Sequence, residues 1–327
     1  MEESGELEFK PQRKILIATD GSETAKEAAD FGIEALKFSG AKVYAVYVIG
    51  TTSHGSVPED EKRSKKIAQY EEVGHEATSY VEEKAKAAGL EAESILLKGN
   101  PAEEILDFAE GQDVDIIVVG SLGKSGIKRF VLGSVSEKVV RHAKVPVLIV
   151  REQKGEKSYK KILIATDGSK AAENAADYGI EIAKWHGAKV YAVYVADITS
   201  FDSILMDEVW VKNTYEQLEK IGYRAIYNLE EDVKAAGIEA ESILLKGNTA
   251  KEILDFAEEQ KVDMIVLGSI GKSGVQNFLL GGTSGKVSRN SKIPVLVVRE
   301  MFKFPRYFSR SQREEKVLTD LESEERE

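Results

Sequence analysis

Asp115-Ile-Ile-Val-Val-Gly-Ser-Leu-Gly-Lys-Ser-Gly-Ile-Lys-Arg-Phe-Val-Leu-Gly-Ser134 reads as a strand, a glycine-rich turn and the start of a helix. The same sentence is written again as Asp263-Met-Ile-Val-Leu-Gly-Ser-Ile-Gly-Lys-Ser-Gly-Val-Gln-Asn-Phe-Leu-Leu-Gly-Gly282. A short, wholly apolar run bounded by turn residues fits a strand buried on both faces, as in a parallel sheet. A glycine-rich turn between such a strand and a helix N-terminus lets backbone N–H groups approach a phosphate. The stretch therefore points to an α/β fold and to an anionic ligand, twice over.

The duplication extends across the chain. Lys14-Ile-Leu-Ile-Ala-Thr-Asp-Gly-Ser22 recurs unchanged at Lys161 to Ser169, and Gly40-Ala-Lys-Val-Tyr-Ala-Val-Tyr-Val48 recurs at Gly187 to Val195. Both pairs are offset by 147, whereas Ala92-Glu-Ser-Ile-Leu-Leu-Lys-Gly-Asn100 and Ala240 to Asn248 are offset by 148. One residue was therefore gained between Ala196 and Ala235. Within the first copy, strand-like runs fall at Lys14–Thr19, Lys42–Val48, Glu93–Lys98, Val114–Val119 and Val145–Val150. Helix-like stretches lie between them, at Glu23–Phe38, Ser64–Ala88, Ala102–Glu110 and Val135–His142. Buried strands alternating with helices predict an open, doubly wound parallel sheet with right-handed crossovers. Gly89 and Gly237 are placed to end long helices, and Pro101 suits a first helical turn.

The expected organisation is a lead over 1–11, one domain over 12–152 and a polar linker over 153–158. A second domain follows over 159–300, then a tail over 301–327. Fully extended, the linker spans about 20 Å, so it should hold the two units against each other. The tail divides into an aromatic and basic half, Met301–Arg313, and an acidic half, Glu314–Glu327. It reads as disordered, or as a docking segment with Val317, Leu318 and Leu321 on one face.

Composition removes several function classes. With 327 residues the chain can bury two cores, and its net charge of −11 argues against sequence-independent nucleic-acid binding. It has no cysteine, which excludes disulfides, thiol catalysis and thiolate metal sites. His54, His75, His142 and His186 show no ligand spacing. No apolar run reaches the roughly 20 residues of a membrane span, and no signal peptide is visible, so a cytoplasmic protein is expected.

In an open α/β sheet the ligand sits at the carboxyl ends of the strands where strand order reverses. The end of the first strand, Ala18-Thr-Asp20 with its counterpart Ala165-Thr-Asp167, and the glycine turn meet that condition. Asp20-Gly-Ser22 has two readings, a helix cap and a ligand contact, which do not exclude each other. Ser134-Val-Ser-Glu137 matches a capping box with Ser134 as the N-cap. Gly123-Lys-Ser125 is not the end of a P-loop, because the first glycine of that motif would fall at Val118 inside the strand. No G-x-G-x-x-G follows the first strand, and no G-x-S-x-G elbow is present.

Written as G-x2-G-x9-G-[ST], the turn carries Gly120, Gly123, Gly133 and Ser134 and resembles the ATP-binding pattern of the universal stress protein family. The opening Ile15-Leu-Ile-Ala-Thr-Asp-Gly-Ser22, Gly99-Asn-Pro-Ala102 and the closing Val145-Pro-Val-Leu-Ile-Val150 resemble that family in its usual order. Both units share the likeness, so the chain looks like a tandem member. The resemblance implies two Rossmann-like domains, each with five strands ordered 3-2-1-4-5. It implies that Asp20 and the backbone of Val48 hold an adenine, with Ala18 beside it. Val119, Gly120 and Gly123 would line the ribose and first phosphate. Gly133, Ser134, Val135 and Ser136 would bind phosphates through backbone N–H and hydroxyl groups. In the second unit Ala165, Asp167, Val195, Leu267, Gly268, Gly271, Gly281, Gly282, Thr283 and Ser284 occupy the matching places.

The implied ligand is ATP or AMP, with Mg²⁺ as companion to the phosphates. The implied role is regulation in a stress response rather than catalysis, and no residue is assigned a catalytic part. A slow ATPase using Asp20 and Glu137, or a nucleotide-independent scaffold, are the alternatives. The family's final strand pairs two domains, which in a tandem chain would happen internally, with a homodimer and an unidentified protein partner also open. Lys128, Arg129 and Glu137 are replaced by Gln276, Asn277 and Gly285, and Ser134 by Gly282. The second site is therefore expected to be weaker, or to prefer a less charged nucleotide such as AMP.

Overall fold

The computed structural model describes residues 12–50, 61–121, 132–151, 159–197, 208–271 and 280–299. The first unit runs β1 (Lys14–Ala18), α1 (Glu23–Leu36), β2 (Lys42–Gly50), α2 (Glu61–Ala87), β3 (Glu91–Gly99), α3 (Pro101–Gly111), β4 (Ile116–Gly120), α4 (Ser134–His142) and β5 (Val147–Val150). The second repeats it as β6 (Lys161–Ala165), α5 (Lys170–His186), β7 (Lys189–Ala196), α6 (Glu208–Ala235), β8 (Ala240–Lys246), α7 (Thr249–Glu259), β9 (Met264–Gly268), α8 (Gly282–Asn290) and β10 (Val295–Val298). The ends of the elements follow from local chemistry. Gly89 and Gly237, with φ of 82° and 78°, take the left-handed turn that stops α2 and α6. β5 starts at Val147 rather than Val145: Pro146 has no N–H to give and joins only by accepting from Ile117.

Strand order in the first unit is β3-β2-β1-β4-β5, all parallel, and the second unit has the same arrangement. The expected 3-2-1-4-5 order is thus present in both. The units then join: β5 and β10 pair antiparallel, with Leu148 opposite Leu296, giving one sheet of ten strands. Leu148 and Leu296 are each other's counterparts in the repeat, so an approximate two-fold axis passes between them. Both are fully buried. Truncating either to Ala would cost about 2–5 kcal/mol and would weaken both units together.

Alternation along the strands sorts side chains to two faces. Ile15, Ile17, Leu148, Val150, Leu296 and Val298 pack with Ala28, Phe31, Val81, Ala175, Ile182 and Ile226, which come from α1, α2, α5 and α6. Leu16, Ile117, Val147, Ile149, Val295 and Val297 pack with residues of α3, α4, α7 and α8 on the other face. Each core runs unbroken across the two units. On the first face Arg13 forms a paired bond to Glu181 (2.8 and 2.8 Å), and the Tyr159 hydroxyl donates to the Phe31 carbonyl (2.8 Å). His186 stacks on Tyr159 with centroids 4.5 Å apart. Among the described residues no helix is long and apolar enough to cross a membrane.

Candidate functional site

At the carboxyl end of β1 the chain leaves the sheet through Thr19, whose N–H donates to the Val46 carbonyl (2.9 Å). Asp20 Oδ1 then accepts from the Ser22 N–H (3.0 Å), and Ser22 Oγ caps α1 by accepting from Ala25 (3.2 Å). The second unit repeats the arrangement, with Ser169 N–H on Asp167 Oδ1 (2.9 Å) and Ala172 N–H on Ser169 Oγ (3.3 Å). The capping reading of Asp-Gly-Ser is therefore correct as local geometry. It fixes each aspartate at the mouth of the sheet, where β1 lies between β2 and β4. The partly buried Ala18, Val48 and Val135 line the edge of the core at this end.

In the second unit the glycine turn leaves β9 beside Asp167. Gly123 falls outside the described residues; at its counterpart Gly271 a methyl group would stand 2.4 Å from Asp167 Oδ2. Likewise a methyl on Gly268 would lie 2.8 Å from the Ala171 carbonyl carbon. At Gly268 the backbone comes too close for a side chain, and at Gly271 a methyl would force the Asp167 carboxylate to shift. The turn is anchored at its base, where Ser121 N–H donates to Val150 O (2.7 Å) and Gly133 N–H to Ser121 O (2.7 Å). Ser269, Val298 and Gly281 repeat those two bonds at 2.7 and 2.8 Å.

The capping-box expectation at Ser134 is corrected. The Glu137 N–H bonds to the Gly133 carbonyl (2.8 Å), so Gly133 is the N-cap and Ser134 already lies in the first turn. Glycine brings no side-chain oxygen, and no side chain caps α4; α8, with Gly281 as N-cap, is the same. The contrast within the molecule is clear. Among the described residues α1, α3, α5 and α7 are capped by Ser22, Asn100, Ser169 and Asn248. The two helices that follow the glycine turns are left without that oxygen, at the end where an anion is favoured. Ser134 and Gly282 are exposed, and Val135 and Thr283 half-buried.

Other assigned residues divide by what their side chains do. Val119 and Leu267 are buried in the core, so their backbone alone can face a ligand. The Ser136 hydroxyl donates to Gly120 O (2.6 Å), and that of Ser284 to Ser269 O (2.7 Å). Those two hydroxyls brace the turn rather than point out of it. Val195 is buried on β7, and Ala165 is partly buried at the end of β6, as Ala18 is on β1.

The model of the universal stress protein family matches residues 12–151 and 158–299, nearly the whole described body. The chain belongs to that family. A universal stress protein of Methanocaldococcus jannaschii is 39% identical over 146 residues, covering 45% of this chain and 85% of the relative. One from Synechocystis is 22% identical over 307 residues, covering 88% of this chain and 100% of the relative. A universal stress protein structure from Archaeoglobus fulgidus superposes with a TM-score of 0.64 at 29% identity, over 88% of this chain and 96% of that one.

Within this universal stress protein frame the electrostatics differ between the units. Glu137, in the first turn of α4, accepts from Arg289 of the second unit (3.0 Å) and from Arg141 (3.2 Å). Arg289 above all, with Arg141, holds its carboxyl below the usual range. A carboxylate gripped by two guanidinium groups is a poor recruit for a metal. Tyr47 and Tyr194 were not singled out from the sequence. Burial, followed by the charge of Asp20 or Asp167, pushes each phenol up. Their signal was the repeated Tyr-Ala-Val-Tyr-Val, in which the second tyrosine faces away from the first.

Proposed function

We propose that the chain binds an adenine nucleotide at the carboxyl edge of each half of its sheet, more tightly in the first unit, and that occupancy regulates its interactions. The observation that carries this reading is the pair of helix N-termini at α4 and α8 without a side-chain cap, where α1, α3, α5 and α7 are capped by Ser or Asn. Those ends lie on the turns that carry the family's ATP pattern. The phosphates would take the N–H groups of Ser134, Val135 and Ser136, and Asp20 and the Val48 backbone would take the adenine. Gly120, Gly123 and Gly133 would permit close approach of the backbone.

In the second unit Asp167, Gly268, Gly271, Gly281, Gly282 and Thr283 would do the same with fewer charges nearby. Gly282 offers no hydroxyl and Gln276 and Asn277 no cation, so a weaker site or one suited to AMP follows. Mg²⁺ would accompany the phosphates. The test is mass spectrometry of small molecules released from denatured, freshly purified protein, together with calorimetric titration of the intact chain with ATP and AMP. Adenine nucleotide in the extract, or saturable binding, is expected. Neither being found would end the proposal.

A further inference from the structure

An arginine follows the last strand of each unit: Arg151 after β5 and Arg299 after β10. Neither belongs to the candidate site, and both are buried, at 5% and 9% exposure. Among the described residues neither forms a salt bridge. Each crosses into the other unit. Nη2 of Arg151 donates to the Ser288 and Arg289 carbonyls (2.7 and 2.6 Å) in the last turn of α8. Nη2 of Arg299 donates to the Val140 and Arg141 carbonyls (2.7 and 2.6 Å) in the last turn of α4. A cation against the carbonyl end of a helix is the favourable arrangement, and burial strengthens it. Arg151 also keeps Nε and Nη1 buried without a partner, so its hold rests on those two carbonyls.

These contacts close a circuit. Arg299 holds the C-terminal end of α4, whose N-terminal end is the cap at Gly133. Gly133 is bonded to Ser121, and Ser121 to Val150, which precedes Arg151. Arg151 holds α8, whose N-terminal end at Gly281 is bonded to Ser269, and Ser269 to Val298, which precedes Arg299. The Glu137–Arg289 pair adds one more bond across the same seam.

We propose that Arg299 is a positioning residue for the phosphate turn of the first unit, and Arg151 for that of the second, each acting from the opposite half of the chain. A helix of nine residues held at one end by a buried arginine moves as a rod, so its uncapped end is set by the other unit. Resting on the nucleotide reading, each turn's affinity for nucleotide then depends on the arginine supplied by the other unit.

The test uses the intact chain and two amides per unit as reporters: Gly133 and Glu137 in the first, Gly281 and Gly285 in the second. All four are hydrogen-bonded at the turn or the first helical turn. Without nucleotide, Arg299→Met should speed exchange at Gly133 and Glu137 about tenfold and leave Gly281 and Gly285 nearly unchanged. Arg151→Met should do the reverse, and Arg299→Lys should restore most of the protection. With ATP, the Gly133 amide shift should report a dissociation constant about tenfold higher in Arg299→Met.

Exchange that is unmoved, or that rises equally at all four amides, overturns the inference whatever ATP does, because a merely structural role loosens both units alike. If exchange moves as stated but both chains bind ATP equally, positioning for nucleotide is refuted. If exchange moves and the unsubstituted chain shows no ATP response, the cross-unit hold stands and the nucleotide reading falls.

Discussion

Replacing Ser134 with Asp should make the protein more stable and a worse nucleotide binder, two effects of opposite sign from one charge. Ser134 is exposed in the first turn of α4, and no side chain caps that helix. A carboxylate there meets the positive end of the helix and contributes about 0.3–1 kcal/mol. For 327 residues melting as one sheet, an unfolding entropy of roughly 2.1 cal/mol/K per residue converts that to a rise of about 0.5–1.5 °C in Tm. The same carboxylate, about 6 Å from a bound phosphate, opposes each phosphate charge by about 0.7 kcal/mol in water and about 3 kcal/mol at an effective dielectric of 20. A dianionic phosphate then loses at least tenfold in affinity.

The assay is differential scanning calorimetry without nucleotide, paired with ATP titration. Ser134→Asn is the neutral control and should change binding little. Gly282→Asp is the parallel in the second unit, where α8 has no acid in its first turn and a side chain at 282 meets nothing within 4 Å. A chain that is stabilised yet binds ATP unchanged would show that phosphate does not sit on α4. A chain that is destabilised would show that the helix end is not open, and the whole argument from capping would fail.

Three further outcomes are expected. Gly271→Ala should lower nucleotide affinity in the second unit more than tenfold without affecting the first, because its methyl would stand 2.4 Å from Asp167 Oδ2; unit-resolved amide shifts would check it. His186 donates to the Ala35 carbonyl (3.2 Å), and burial lowers its pKa below the usual 6.5. The unfolded chain therefore takes up this proton first as pH falls, so the contribution to stability is complete above about 6.5 and declines below it, down to the folded value. Urea melts from pH 7.5 to 5 should show that decline, and His186→Gln should flatten it. Lys261, at φ of 53°, sits in the left-handed region, so Lys261→Gly should stabilise by about 1 kcal/mol in the same melts.

The frame was legible in the sequence because its strands are buried on both faces and so read as uninterrupted apolar runs. Ile116–Gly120 and Met264–Gly268 could be placed that way, and Gly89 and Gly237 marked the ends of the long helices. The start of α4 was misplaced by one residue for a physical reason. Ser134-Val-Ser-Glu137 has the letters of a capping box, but the bond from Gly133 to Ser121 draws the helix start back to the glycine. Meanwhile Arg289 takes the Glu137 carboxylate that the box would have used. Arg151 and Arg299 could not be read at all: an arginine after a strand looks like an ordinary exposed end. Each is buried by the opposite unit, and nothing local announces that.

An interface between identical chains must use each residue twice, once on either side of its axis. In a tandem chain the same surfaces are encoded separately, and this seam has used the freedom selectively. The arginines that hold α4 and α8 are the same in both copies, as are Leu148 and Leu296 on the axis. Glu137 and Gly285 are counterparts that differ, and so are His186 and Ser39. Two glutamates at 137 and 285 would put acid into the first turn of both helices proposed to hold phosphate. One glutamate, shared by Arg141 and Arg289, ties the seam together while leaving the other helix start without a carboxylate. The repeated residues thus preserve the frame, and the divergent ones make the two helix ends electrostatically unequal. If both helix ends take nucleotide as proposed, unequal sites would fill in a fixed order over a range of nucleotide concentration, which two identical independent sites would not do.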